Sequence, residues 1–386
     1  MITIQNADKA LKDYYLQAVS AQLNDNISPF FSAIEKTSTN VYGKDVKMSI
    51  VRSNTEGVVA CSEDANLPAP YKNRYIEISA PLKNIYGTIE ISDKALRASR
   101  DSSGAFVNLL NAEMEGLVSS AKYNFQRMLY GDGNCTICRI TSADENAETN
   151  HTYEVTDVNG LTIGMIVDVV TIDGVKTGGL EIVNIDGGTK KVTFAGPVYG
   201  RVEDAGIALE GMYGAELTGL GAIFGGTGLY DVERGNEDYF TPYSKTLSSA
   251  LTEDDLTDVL DYIEEHFNSK INMILCSYST RKKIANLIAD KKLVVNSLDV
   301  NTGYGVVTVN GVPVYADRFC PEGVIYFVNT DDFALCQLCD WEWLEDEDGK
   351  ILRQVPGKAA YSATLVKYAE LICKKPCAQA VLKLGM

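Results

Sequence analysis

The repeat of apolar and polar positions is most regular between Gly104 and Gly133. Phe106, Leu109, Leu110, Met114, Leu117, Ala121, Phe125 and Met128 recur at spacings of three and four, which stacks them on one face of a helix. No proline interrupts the stretch, and a helix from Ala105 to Tyr130 would be about 39 Å long. Gly131 and Gly133 offer the left-handed backbone that stops a helix. Two extended stretches precede it, Lys44 to Ser53 and Asn73 to Ser92, each alternating with period two through residues such as Val46, Met48, Ile76 and Ile78. The polar segment between them carries Pro68 and Pro70. The pattern predicts a long hairpin too thin to own a core, and therefore one that rests on neighbouring molecules.

The chain start predicts a short helix over Ala7 to Leu23. An irregular segment follows (Ser28 to Lys36), with Phe30, Phe31 and Ile34 as contacts that pack on another part of the chain or on a neighbour. After Gly133, short alternating runs (TYEV, MIVDVV, LEIVNI, KKVTFAG) are separated by Asn159-Gly160, Asp173-Gly174 and Asp186-Gly187-Gly188. These are hairpin turn signals, and they predict an inserted antiparallel barrel or sandwich of about 80 residues, entered through a polar linker at 141–153. The glycine-rich stretch Tyr213 to Phe240 lacks the Gly-Lys-Ser/Thr ending of a phosphate loop and is expected to be a mobile connection.

Leu251 to Phe267 predicts a helix with Thr252 as N-cap, Asp255 reaching back and a buried stripe through Leu256, Val259, Leu260, Ile263 and Phe267. With the following strand, helix and strands it predicts an α/β unit from about Thr218 to Asn329. Tyr361 to Cys373 and Ala378 to Leu384 are expected to return and cover the long helix.

Composition narrows the function. At 386 residues, with 45% apolar and 23% charged residues, the chain is long enough for two or three domains. No apolar run is long enough to span a membrane, and the N-terminus lacks a signal-peptide layout, so cytosolic synthesis is expected. A net charge of −17 argues against a protein that grips nucleic acid through a basic groove, though not against one that encloses it. Nine cysteines fit free thiols. The pairs Cys135/Cys138 and Cys336/Cys339 admit a zinc site, but they are far apart in sequence and read better as buried small hydrophobes, as do Cys373 and Cys377 beside Pro376. His151 and His266 are isolated, and the run Glu345-Asp346-Glu347-Asp348 reads as a solvated turn more readily than as a hard-cation site. The sequence therefore nominates no catalytic, cofactor-binding or metal-ligating residue, and no enzyme activity is expected.

The order of these pieces carries a resemblance. PLKNIYGTIEISDKAL (Pro81 to Leu96), NAEMEGLVSSAKYNFQRMLYGDGN, ELTGLGAIF (Glu216 to Phe224), INMILCSYSTRKKIANL, VNGVPVYADRFCPEGVIYFVNTDDFAL and AAYSATLVKYAELICKKPCAQAVLKL together resemble the major capsid protein of tailed double-stranded DNA bacteriophages, the Hong Kong 97 phage-type capsid fold. The resemblance implies an α+β fold comprising an N-terminal arm (1–43), an extended hairpin loop (44–92), a peripheral domain in two parts (93–133 with the spine helix, and 331–386) and an axial α/β domain (215–330). The β-rich insertion (134–214) is an addition to that plan. It further implies self-assembly as hexamers and pentamers into an icosahedral capsid that encloses phage DNA, in a virion assembled in the host cytoplasm. A separate scaffolding protein, a portal and decoration proteins are the implied partners, and no membrane is. Some members cross-link Lys to Asn between subunits; Lys72 and Asn73 sit near the loop tip, but the needed buried Glu and partner Asn are not identifiable, so non-covalent contacts are expected. The alternative on the same fold is an encapsulin-like nanocompartment shell enclosing a cargo enzyme.

Overall fold

Ser28 fixes the first turn of the chain as seen in the computed structural model, which describes residues 28–53, 60, 62, 73–94, 103–143, 151–158, 160–171, 174–199, 202–236, 238–291, 307–346 and 349–385. Its hydroxyl accepts the Phe30 N–H at 3.2 Å and starts helix α1 (Pro29–Ala33), with Pro29 where a missing N–H costs nothing. The turn drives Phe30 edge-on against Phe333 and Phe31 edge-on against Phe125, each pair of rings 5.2 Å apart. The sticky residues of this segment are thus covered by their own chain. The helix expected at Ala7 to Leu23 lies outside the described residues.

Strands β1 (Glu35–Thr37) and β2 (Val41–Tyr42) lead into β3 (Asp45–Ser53), which pairs antiparallel with β4 (Arg74–Pro81) from Asp45↔Pro81 to Ser53↔Arg74. The expected second arm does not run on to Ser92 within the hairpin. It breaks at Leu82, and β5 (Lys83–Ser92) joins a different sheet. The base of the hairpin is packed on its own chain. Val46, Ile50, Ile78 and Ala80 at its base are buried in the main core, and among the described residues Tyr42, Val51 and Tyr75 are the large apolar side chains left in water here.

The long helix, α2 (Ser103–Tyr130), buries Met114, Val118, Phe125 and Leu129, spaced by four, seven and four. It crosses β5 closely at Gly87, where a Cβ would come within 2.7 Å of Leu117 Cδ1 and that side chain would have to shift. Gly133, at φ +82°, supplies the left-handed turn after the helix.

Six strands then close into a barrel in the order β10-β7-β6-β11-β8-β9: β6 (Thr136–Ala143), β7 (Thr152–Val155), β8 (Ile166–Thr171), β9 (Gly174–Asp186), β10 (Lys191–Phe194) and β11 (Gly206–Leu209). Ile140, Tyr153, Val167, Ile182, Val192 and Ile207 fill it. Closure removes the exposed edges that an open sheet of this size would carry. Two of the strands, β6 and β11, are not evident in the sequence pattern. The start of the expected linker (Thr141 to Ala143) belongs to β6 because Ser142 and Ala143 pair with Glu154 and Tyr153 of β7.

The glycine-rich return is packed rather than mobile. Leu217, Leu220, Ile223 and Phe224 are buried around helix α3 (Leu220–Phe224), followed by the small hairpin β12 (Gly228–Leu229) and β13 (Val232–Glu233). Its glycines serve close approach: a Cβ on Gly219 would collide with the carbonyl oxygen of Met128 and lie 2.6 Å from that of Gly131.

The α/β unit is a six-stranded mixed sheet ordered β14-β22-β18-β15-β17-β16, from β14 (Tyr243–Leu247), β15 (Met273–Cys276), β16 (Thr308–Val309), β17 (Val312–Ala316), β18 (Val324–Val328) and β22 (Ala380–Leu384). Helices α4 (Glu253–Phe267) and α5 (Tyr278–Lys291) cover one face through Leu256, Val259, Ile263 and Ile284. The Thr252–Asp255 capping box read from the sequence is present. The other face, through Met273, Leu275, Tyr326 and Val328, joins the main core.

The remaining sheet is built on β21 (Ala360–Cys373), flanked by β5 on one side and by β19 (Phe333–Trp343) and the short β20 (Arg353–Gln354) on the other, with β1 parallel to β19. The expectation for the closing segment holds for its first half only. Tyr361 to Cys373 backs the long helix, but Ala380–Leu384 lies between β14 and β18 in the α/β sheet. The dividing point is the turn at Pro376–Ala378, after the Lys374-Lys375 pair identified as a break.

Candidate functional site

The residues singled out for chemistry lie apart. Cys135 and Cys138 sit at the barrel base and Cys336 in β19; burial pushes the first two thiols up to about 12 and Cys336 to about 11. These are protonated, inert thiols, and the eight described cysteines are free. Among the described residues no group of three or more His, Cys, Asp or Glu side chains is placed to hold a metal ion. His266 stacks on Tyr262 with ring centroids 4.1 Å apart, its Nδ1 3.0 Å from the Tyr262 carbonyl oxygen. Asp346 closes a turn by accepting the Lys350 N–H at 2.7 Å.

What the fold does bring together is a set of buried charged groups at the junction of long helix, barrel and sheet. Arg127, one turn from the end of α2, forms a buried two-point pair with Glu216 on the segment leaving the barrel, its Nη1 3.0 Å from Oε2. Since the chain enters the barrel just after Arg127 and leaves it just before Glu216, this pair clamps both crossings to the helix end. Two β21 residues, Lys367 and Glu370, are buried as well. The Lys367 ammonium donates to Asp340 and to Gln337 Oε1 (3.0 Å), with the Phe125 and Trp341 rings 5.7 and 5.6 Å away. Burial lowers its pKa, partly offset by Asp340. Glu370 Oε1 accepts the N–H groups of Thr218 (2.8 Å) and Leu371 (3.0 Å), while Oε2 has no hydrogen-bond partner among the described residues. Burial pushes this carboxyl up to about 7. Both are charged residues three apart in an apolar run, a signal the sequence carried but the periodic reading passed over.

Two parts of the surface carry large apolar and aromatic side chains. The hairpin exposes Tyr42, Val51 and Tyr75. On the outer face of the β21 sheet Tyr86 meets Tyr368 edge-on at 6.1 Å beside a groove of about 450 Å³ lined by Glu342, Trp343, Leu344, Ile351, Val366 and Tyr368. Tyr86, at 56%, and Leu338, at 57%, remain exposed nearby. Large exposed aromatic and aliphatic side chains at a shallow groove are the anatomy of a protein–protein contact rather than of an enclosed reaction chamber.

No protein-family model matches the chain, and no curated protein matches it. Solved structures do. The chain is similar to the protein of the cyanophage A-1(L) capsid asymmetric unit (TM-score 0.53, 12% identity, covering 92% of both chains). It is also similar to the capsid of the native GTA particle (TM-score 0.53, 10% identity, covering 94% of this chain and 91% of that one) and to that of the empty GTA particle (TM-score 0.51, 11% identity, with the same coverage). The fold is therefore that of phage capsid proteins, and the α+β class expected from the sequence is the one observed.

Proposed function

We propose that this chain is a structural shell subunit, copies of which associate as hexamers and pentamers into an icosahedral capsid around double-stranded phage DNA. The observation that carries this reading is the end-to-end likeness of fold to the cyanophage A-1(L) and GTA capsids, which spans nine-tenths of each chain. The exposed aromatic hairpin and the groove beside Tyr86 and Tyr368 support it, since both suit contact between copies. In this reading the hairpin β3–β4 is the extended loop, the α/β sheet with β22 is the axial unit, and α2 with the β21 sheet is the peripheral unit. The barrel is an insertion on the shell surface. No catalytic step is assigned. A scaffolding protein, a portal and decoration proteins are the partners the reading implies, and the net charge of −17 suits a wall that does not trap the genome.

Electron microscopy of the purified protein tests it, alone and with its scaffolding partner. Closed particles with fivefold and quasi-sixfold clusters are expected, with DNA inside when they are isolated from lysed host cells. A compact monomer with no larger species at micromolar concentration or under crowding overturns it. Particles filled with a folded enzyme and free of DNA would identify a cargo compartment instead.

A further inference from the structure

Helix α4 carries seven acidic residues and neither lysine nor arginine. Four of them, Asp254, Asp258, Asp261 and Glu265, are exposed at spacings of four, three and four, opposite the buried Leu256, Val259 and Ile263. They form a stripe about 16 Å long. Lys245 reaches Asp258 at 3.6 Å, and Lys270 reaches Glu264. Among the described residues Asp254, Asp261 and Glu265 meet no cation. Like charges three and four apart on a helix raise one another's energy, so the stripe gains from a cationic partner.

A complement lies on the same chain. Helix α5 begins with exposed Arg281, Lys282 and Lys283, and none of these forms an ion pair among the described residues. Beside them Tyr278 is 58% exposed, with the Arg281 guanidinium 5.5 Å from its ring centre. An aromatic ring and an arginine at the surface are the residue types on which interfaces anchor, and here they stand next to two further cations.

We propose that copies of this chain meet through these two helix faces, the acidic outer face of α4 on one copy against the Tyr278–Lys283 patch of α5 on another. The inference rests on the shell reading and names one contact within it. Each copy carries a net charge of −17, so association has to set local positive against local negative charge; these faces do so. A face on one copy meeting a different face on the next is the heterologous contact from which rings close.

Charge reversal tests it. Asp254→Lys with Asp261→Lys and Glu265→Lys, and separately Arg281→Glu with Lys282→Glu and Lys283→Glu, should each cut the yield of particles about tenfold at low salt, while the six changes together restore it to within about twofold. Circular dichroism on the unassembled subunits confirms that each variant folds. Variants that assemble at the unmodified yield overturn the contact while leaving the shell reading intact, as does a folded six-site variant that fails to recover. Basic-patch variants that assemble normally but retain less DNA would assign that patch to nucleic acid and also overturn the contact. If the unmodified protein never forms particles, the shell reading fails and the contact with it.

Discussion

The hydroxyl of Tyr230 accepts the backbone N–H of Cys373 at 2.8 Å and donates to the Leu371 carbonyl at 2.9 Å. The pairing with β5 ends at Ala369, so the edge of β21 beyond it has no strand partner on that side among the described residues, and one phenol takes its place. Tyr230 reaches this position from a tight turn in which it and Asp231 both adopt left-handed backbone, at φ +51° and +63°. The buried hydroxyl holds the turn in that conformation.

Replacing Tyr230 by phenylalanine keeps the ring and removes both bonds, leaving a buried N–H and carbonyl unpaired. A loss of about 1–3 kcal/mol is expected, read by urea denaturation of the subunit.

The Arg127–Glu216 pair predicts a non-additive pattern. Arg127→Met alone leaves a buried carboxylate uncompensated and should cost about 3–5 kcal/mol; Glu216→Met strands the guanidinium with similar effect. The double variant should recover most of that loss, and a double-mutant cycle measures the coupling.

Glu370 predicts a pH dependence of unusual sign. Its pKa is raised from 4.5 to about 7 by burial, so the folded state holds its proton more tightly than the unfolded state. The group is neutral in both states below pH 4.5 and costs nothing there. As pH rises from about 4.5 to 7 the unfolded state ionises first, and stability falls by on the order of 3 kcal/mol before levelling off. Glu370→Gln should flatten this part of the pH–stability curve and stabilise the subunit at pH 8, as followed by thermal unfolding across that range.

Tyr42 and Tyr75 on the hairpin, 63% and 61% exposed, should matter little to the isolated subunit. Tyr42→Ser with Tyr75→Ser is expected to change subunit stability by less than about 0.5 kcal/mol while reducing particle formation, as scored by sedimentation.

Elements whose stability is local were legible in the sequence. The long helix, the Thr252–Asp255 capping box and the barrel hairpins turning at Gly174 and Asp186 follow from spacing, caps and turn residues alone, whereas Gly160 turns the chain between β7 and β8, which do not pair. The misreadings share a non-local cause. The stretch Asn73 to Ser92 moves its apolar residues from even positions (Ile76, Ile78, Leu82) to odd ones (Ile85, Ile89, Ile91), and its two halves pair with β3 and with β21, whose places in the chain only the fold brings together. Gly219 looked like a flexible linker residue because its constraint, the carbonyls ending α2, lies outside its own segment. Lys367 and Glu370 were absorbed into an apolar run because their partners, Asp340 and the Thr218 N–H, arrive from other strands and loops.

The placement of β22 has a consequence for the order in which the molecule can come into being. Ala380–Leu384 leaves the ribosome after every other strand described, yet it fills an interior position between β14 and β18, just as β21 separates β5 from β19. While translation is under way, β14 and β5 each lack the strand that joins them to the rest of their sheets, and much of the surface that those sheets shape does not yet exist. Nascent chains crowded on one messenger are therefore poor partners for one another.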